Sequence, residues 1–247
     1  MLALARAELL LLGRSKGTLF AALFVPLVLP FSARSATKDM DLAGSGLSVG
    51  DVLLPGAIGF SLLFAVYSAL TAVFVARREE LVLKRLRTGE LRDTEILAGA
   101  ALPSLCIGLG QSVLLAVGCA IVLDVGAPQA PQYAVLGLLA GLVLCAALAA
   151  VTASFSRTSE SAQVTALPLI FVSMLGSGML IPLEVLPDRL ATFCELLPLT
   201  PVTTLLRGGW TGDLSNGDLL RAALIALAWI VLAVFAVRRW FRWEPRH

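Results

Sequence analysis

A reaction centre needs a nucleophile, a base or a metal ligand, and this chain of 247 residues offers few of them. Its single histidine is His247, the last residue. A Ser/His or Cys/His pair, or a histidine-ligated metal, would therefore be built on a chain end prone to fraying. The four cysteines, Cys106, Cys119, Cys145 and Cys194, show no C-x-x-C spacing suited to zinc or redox work. Three of them fall in apolar runs, where the thiol acts as a small hydrophobe. Cys194 has no evident partner within the chain, and a bond between two copies is the minor reading. No G-x-x-x-x-G-K-[ST] occurs, because the run GRSKG from Gly13 to Gly17 lacks the spacing and a preceding strand. No catalytic, cofactor-binding or metal-binding residue is assigned, and an enzyme is not expected.

The elements that carry these residues are read from composition. Hydrophobic residues make up 58% of the chain and charged residues 15%, against about a quarter charged in ordinary soluble domains. The net charge of +2 is small and scattered, which excludes the clustered basic face a nucleic-acid partner would require. Apolar runs between charged or Pro/Gly-rich breaks predict six spans: Thr18 to Phe31, Val52 to Val75, Ile96 to Leu123, Tyr133 to Phe155, Ala162 to Ile181 and Leu219 to Val237. The first is short and holds Pro26 and Pro30, and its rival reading is a signal peptide ending near Ala33 to Ser35. With a cytoplasmic N-terminus, fourteen Lys and Arg fall inside and four outside, so both termini are expected on the cytoplasmic side. The fold class is thus an all-α integral membrane protein, a single transmembrane domain over residues 1–247. Two connections are longer than a turn needs: a cytoplasmic loop over 76–95 and an external segment over 182–218.

The predicted span cores hold no Asp, Glu, Lys, Arg or His. The buried carboxylates through which ion-driven transporters commonly couple are missing, and the first three spans show no repeat in the last three. If the chain moves a cargo uphill, the energy must come from a partner. The loop ARREELVLKRLRTGELRDTEILA is the expected docking place. Glu79 to Arg87 reads as a helix continuing the second span, broken by Thr88 and Gly89, with Asp93 and Glu95 at the start of the third span, where the helix dipole favours them. Leu81, Val82, Leu83 and Leu86 interleave with the charges and give an amphipathic surface suited to a groove on another protein. Glu79, Glu80 and Lys84 also resemble the paired-glutamate motif of membrane CAAX-type proteases, but Lys84 stands where that motif has Arg and the partner histidines are absent.

RREELVLKRLRTGELRDTEILAGA resembles the first cytoplasmic loop of type-2 ABC exporter permeases, and Gly176 to Gly212 is similar to that family's exit from span five, with Pro182, Leu186-Pro187, Pro198 and Leu205 to Gly208 in order. The resemblance implies a half-sized transmembrane subunit of a bacterial drug, lipid or natural-product exporter in the cytoplasmic membrane. It pairs with a second permease copy or paralogue and with two ATP-binding subunits, which hold the ATP and Mg. No cofactor belongs to this chain itself. It implies that Glu79, Glu80, Lys84, Arg85, Arg87, Thr88, Gly89, Glu90 and Leu91 form an ATPase-coupling helix. It also implies an amphipathic N-terminal helix along the membrane surface (1–16, matched by Met1 to Leu12) and re-entrant outer helices between spans five and six. Pro187, Leu190, Leu197 and Pro198 would serve as an external gate. For the substrate pathway, Phe60, Phe64, Tyr67, Thr71 and Phe74 recur at steps of 4, 3, 4 and 3, and Ser173 and Ser177 share a face beside Met174. Lipid-facing or helix-packing roles compete with the pathway reading, and the resemblance favours the pathway. Such walls suit an amphiphilic cargo. The competing functions are a non-transport membrane scaffold that docks a cytoplasmic partner, and a secondary transporter.

Overall fold

The computed structural model describes residues 49–88, 92–122, 125–180, 183, 186–241 and 243. The expected N-terminal surface helix and the first span, Thr18 to Phe31, lie outside the described residues, as do Gly89, Glu90, Leu91 and Pro182. Every regular element among the described residues is helical. Helix α1 (Val49–Ser61) runs through a π-helical segment (Leu62–Ser68) into α2 (Ala69–Glu79). A short α3 follows (Val82–Arg87), then α4 (Asp93–Val122), α5 (Pro131–Phe155), α6 (Ser159–Gly176), α7 (Asp188–Glu195), α8 (Thr200–Thr211) and α9 (Asn216–Trp240).

The boundaries follow from local chemistry. Asp93 and Glu95 occupy the first turn of α4, and Glu95 accepts from the Arg92 N–H at 2.9 Å, which supplies one of the acceptors that a helix start lacks. Pro131 opens α5, where its missing N–H costs nothing. Thr158 and Ser161 close a reciprocal capping box on α6. Gly212, at φ 75°, ends α8 in the left-handed region. Ser215 accepts from the Asp218 N–H at the start of α9.

Four helical stretches among the described residues are long and apolar enough to cross a membrane: Leu53–Glu79, Asp93–Ile121, Pro131–Phe155 and Asn216–Trp240. They match the predicted spans two, three, four and six. The expected fifth span, Ala162 to Ile181, corresponds to α6, which has 18 residues and is not among the four. It begins three residues earlier, and its first turns carry the polar Ser159, Glu160, Ser161 and Gln163. Burial ranks the four: Leu53–Glu79 is 67% buried and Asn216–Trp240 only 17%, so the first is the central rod and the last leaves most of its surface to lipid or another chain.

Glycines set the tightest contacts. A Cβ on Gly209 of α8 would stand 2.5 Å from the Ala134 nitrogen, and one on Gly137 of α5 would stand 2.9 Å from the Leu205 Cβ. Small residues on facing helices let the two backbones approach where no hydrophobic effect drives association. Helix α8, 12 residues long and so about 18 Å, is seated against α5 with Val202, Leu205 and Leu206 buried, and the Ala130 N–H donates to the Gly209 carbonyl at 2.9 Å.

Candidate functional site

The bundle has two distinct ends. At one lie the α2–α3 junction, the α5–α6 turn and the end of α9. At the other lie α7, α8 and the start of α9. Arg77, Arg78, Lys84, Arg85, Arg87, Arg92, Arg157, Arg238 and Arg239 gather at the first end, whereas Arg189, Arg207 and Arg221 belong to the second.

At the first end the helical rod bends. The helix expected to run unbroken from Glu79 to Arg87 is interrupted, although it does end at Arg87 with Thr88 as its cap, where a break was expected. The helix stops at Glu79, and Leu81 takes φ 60° before α3 begins. No glycine marks that site, and a non-glycine residue there costs about 1–2 kcal/mol. Packing accompanies the bend: beyond it Leu83 is fully buried. The amphipathic face is therefore partly consumed inside this chain. What α3 presents outward is Lys84, Arg85, Arg87 and Thr88, all exposed, beside exposed Glu79, Glu80 and Leu81.

Directly before the bend, two neighbouring side chains grip the α5–α6 turn. Arg78 is 1% exposed. Its guanidinium donates to the Ala153 carbonyl at 2.9 Å and to the Ser156 carbonyl at 2.5 Å, the orphan acceptors at the end of α5. A cation at a helix C-terminus also meets the negative end of the dipole. Glu79 accepts from the Ser159 N–H at 3.0 Å, at the first residue of α6, where the dipole has the opposite sign. The acid and the base thus fasten one turn from its two sides. Arg87 extends the arrangement: its Nε donates to Asp93 at 3.1 Å, and its guanidinium lies 5.0 Å from the centre of the Trp243 ring. Trp243 meets Phe241, which meets Phe74 of α2 edge-on, and Trp240 contacts Phe155.

The aromatic stripe is divided. Phe60 and Phe64 stack with centroids 6.1 Å apart, and Phe64 is exposed. Tyr67, Thr71 and Phe74 are buried within the chain. Tyr67 shares a 3.0 Å hydrogen bond with Thr152 of α5, and the Thr71 hydroxyl donates to the Tyr67 carbonyl. The physical reason is the π segment, in which the Ala69 N–H reaches the Phe64 carbonyl five residues back. The wider turn breaks the 3.6-residue period between Phe64 and Tyr67. Ser173 and Ser177 are both fully buried, and neither hydroxyl has a hydrogen-bond partner among the described residues; Met174 beside them is half-buried.

At the second end, Pro187 caps α7 and is exposed, as is Leu190. Leu197 lies against Gly176, and Pro198 is buried, so the four expected gate residues differ in exposure. Cys194 is a free, buried cysteine. Residues the spacing did not single out are Arg78, counted only as an orienting charge, Thr152, Trp243, and Gln111, which accepts from the buried Ser61 hydroxyl at 2.6 Å. A polar side chain inside an apolar run was the available signal.

A bundle of membrane-length helices with a basic elbow at one end is the architecture of a polytopic membrane protein. The membrane-domain model of the ABC-2 type transporter family matches residues 1–210. The chain belongs to that family, as a multi-pass membrane permease of an ABC transporter, and that family implies pairing with an ATP-binding subunit. No curated protein matches the sequence.

Proposed function

We propose that the chain is the permease subunit of an ABC exporter of the bacterial cytoplasmic membrane, with both termini inside. In this reading it works as a dimer with a second copy or a paralogue, beside two ATP-binding subunits that carry ATP and Mg. It moves an amphiphilic drug, lipid or natural product outward by alternating access. Six spans are completed by the N-terminal segment, α7 and α8 are the re-entrant external helices, and α3 with its flanking residues 76–95 is the coupling loop.

The observation that carries this is the grip of Arg78 and Glu79 on the α5–α6 turn, immediately before the bent α3. A push on α3 cannot be absorbed by α2 alone, because both ends of that turn are bonded to the residues at the pivot. Displacement passes to α5 and α6, and α6 carries Ser173, with Ser177 as its cap. The burial of α8 between longer helices supports the re-entrant reading, since a helix too short to span must have its ends covered by protein.

The test is charge reversal on the outward face of α3. With the ATP-binding subunit encoded beside this chain reconstituted in vesicles, Arg85→Glu and Glu80→Lys should abolish cargo-stimulated ATPase and transport while leaving insertion and unfolding temperature unchanged. Transport at the native rate in both variants refutes the coupling role.

A further inference from the structure

A cavity of about 480 Å³ opens at the second end, between the end of α6, helices α7 and α8, and the start of α9. Its apolar wall includes Leu183, Leu186, Leu214 and Ile225. Ser177 also lines it, fully buried and with its hydroxyl unpartnered among the described residues. Among the described residues the charges on the lining are four carboxylates, Asp188, Glu195, Asp213 and Asp218, against two guanidiniums, Arg207 and Arg221. Glu195 and Arg221 neutralise each other at 2.5 Å. Arg207 donates to the Gly178 carbonyl at 3.2 Å, and its one positive charge counts against Asp188, Asp213 and Asp218. Asp188 and Asp218 stand in the first turns of α7 and α9, where each helix dipole supplies at most about half a positive charge. Among the described residues the lining remains net negative after that offset. The carboxylates do not converge on one point, since no three acidic, Cys or His side chains among the described residues could hold a metal ion. A spread of negative charge around an apolar wall fits an extended organic cation and not a metal.

We infer that this cavity is a binding site for an organic cation with an apolar body, lodged between α7, α8 and α9. Its apolar part lies against Leu183, Leu186, Leu214 and Ile225, and its charge lies at the Asp188 and Asp213 rim. As a substrate class for export the inference rests on the function proposed above, but the binding itself needs neither ATP nor a partner chain.

Tetraphenylphosphonium and tetraphenylborate have nearly the same size and shape and opposite charge, so their difference reads the sign of the site alone. Equilibrium dialysis of labelled tetraphenylphosphonium against the purified full-length chain in a non-ionic detergent should give saturable binding, at least tenfold tighter than tetraphenylborate. Each rim carboxylate is exposed, and neutralising it should weaken binding about two- to fivefold; the double variant Asp188→Asn/Asp213→Asn should lose about five- to twentyfold. Leu214→Trp, which fills the apolar wall, should abolish binding, and Arg85→Gln at the opposite end should leave it unchanged. Native unfolding temperatures in the two Asn variants, singly and together, establish that the loss is local. Absence of saturable binding, equal affinity for the two ions, or undiminished binding in the double variant overturns the site. Intact binding with no ATP-driven movement of the cation would leave the site standing and count against the exporter reading.

Discussion

Arg78 shows what a single residue has to satisfy in an apolar bundle. A guanidinium in such surroundings is costly unless its donors are used, and the end of α5 offers carbonyls that no helical N–H can reach. Arg78→Ala removes two bonds to buried carbonyls; at about 1–3 kcal/mol for each group left without a partner, the variant should unfold several degrees lower in detergent. Arg78→Lys keeps the charge but not the planar fork and should fall between the two, a ranking that differential scanning fluorimetry on purified protein can read. Glu79→Gln, on an exposed carboxylate, should cost well under about 1 kcal/mol. Ser173 behaves in the opposite sense. Its buried hydroxyl has no partner among the described residues, so Ser173→Ala should leave stability unchanged or raise it by up to about 1 kcal/mol. If Ser173 lines the pathway as proposed, the same variant should lower transport, and that combination separates a working polar group from a packing one.

At the scale of elements, the elbow and the α5–α8 contact carry opposite kinds of constraint. Leu81 adopts a left-handed backbone that glycine would accept without steric cost. Leu81→Gly should therefore be close to neutral for folding, while Leu81→Val, with a branched Cβ, should destabilise by about 1–2 kcal/mol. The chemical-denaturation midpoints of the two variants should move in that order. The α5–α8 contact has no such freedom. A side chain at Gly209 meets the Ala134 backbone, so Gly209→Leu should displace α8 and lower the yield of monodisperse protein, by at least the about 1–3 kcal/mol typical of overpacking. An unchanged elution profile and unfolding temperature for Gly209→Leu would show that α8 is not seated as described. The π segment belongs to this scale too: by widening one turn it turns Tyr67 towards Thr152 and leaves Phe64 exposed.

Over the whole molecule, the two ends differ in charge and in how they are held. The elbow end is tied by Arg78, Glu79, the Arg87–Asp93 ion pair and the aromatic chain from Phe74 to Trp243; the other end holds a cavity rimmed by carboxylates. Trp243→Ala removes one wall from Arg87 and should increase the rate of tryptic cleavage at the α3 basic residues without changing the unfolding temperature by more than a few degrees. Opposite sidedness is checked directly. In intact cells expressing the chain with its four native cysteines replaced, a membrane-impermeant maleimide should label Asp213→Cys and not Arg85→Cys, and inverted vesicles should reverse the result.

Length, apolar periodicity and charge placement decided much of this protein before any tertiary contact is considered. Four of the six predicted spans coincide with membrane-length helices because about 20 apolar residues can satisfy their backbone in hydrocarbon only as a helix, and the loop motif with the Gly176 to Gly212 stretch pointed to the family that the match over residues 1–210 shows. Spacing could not place the elbow at Leu81, since nothing in a leucine announces a left-handed backbone. Nor could it foresee that a π turn would split the aromatic stripe, that Arg78 would cap a helix 75 residues further along the chain, or that carboxylates from α7, α9 and the α8–α9 turn would rim one cavity. Those outcomes depend on which groups packing leaves without a partner, and that is settled only when the helices lie side by side.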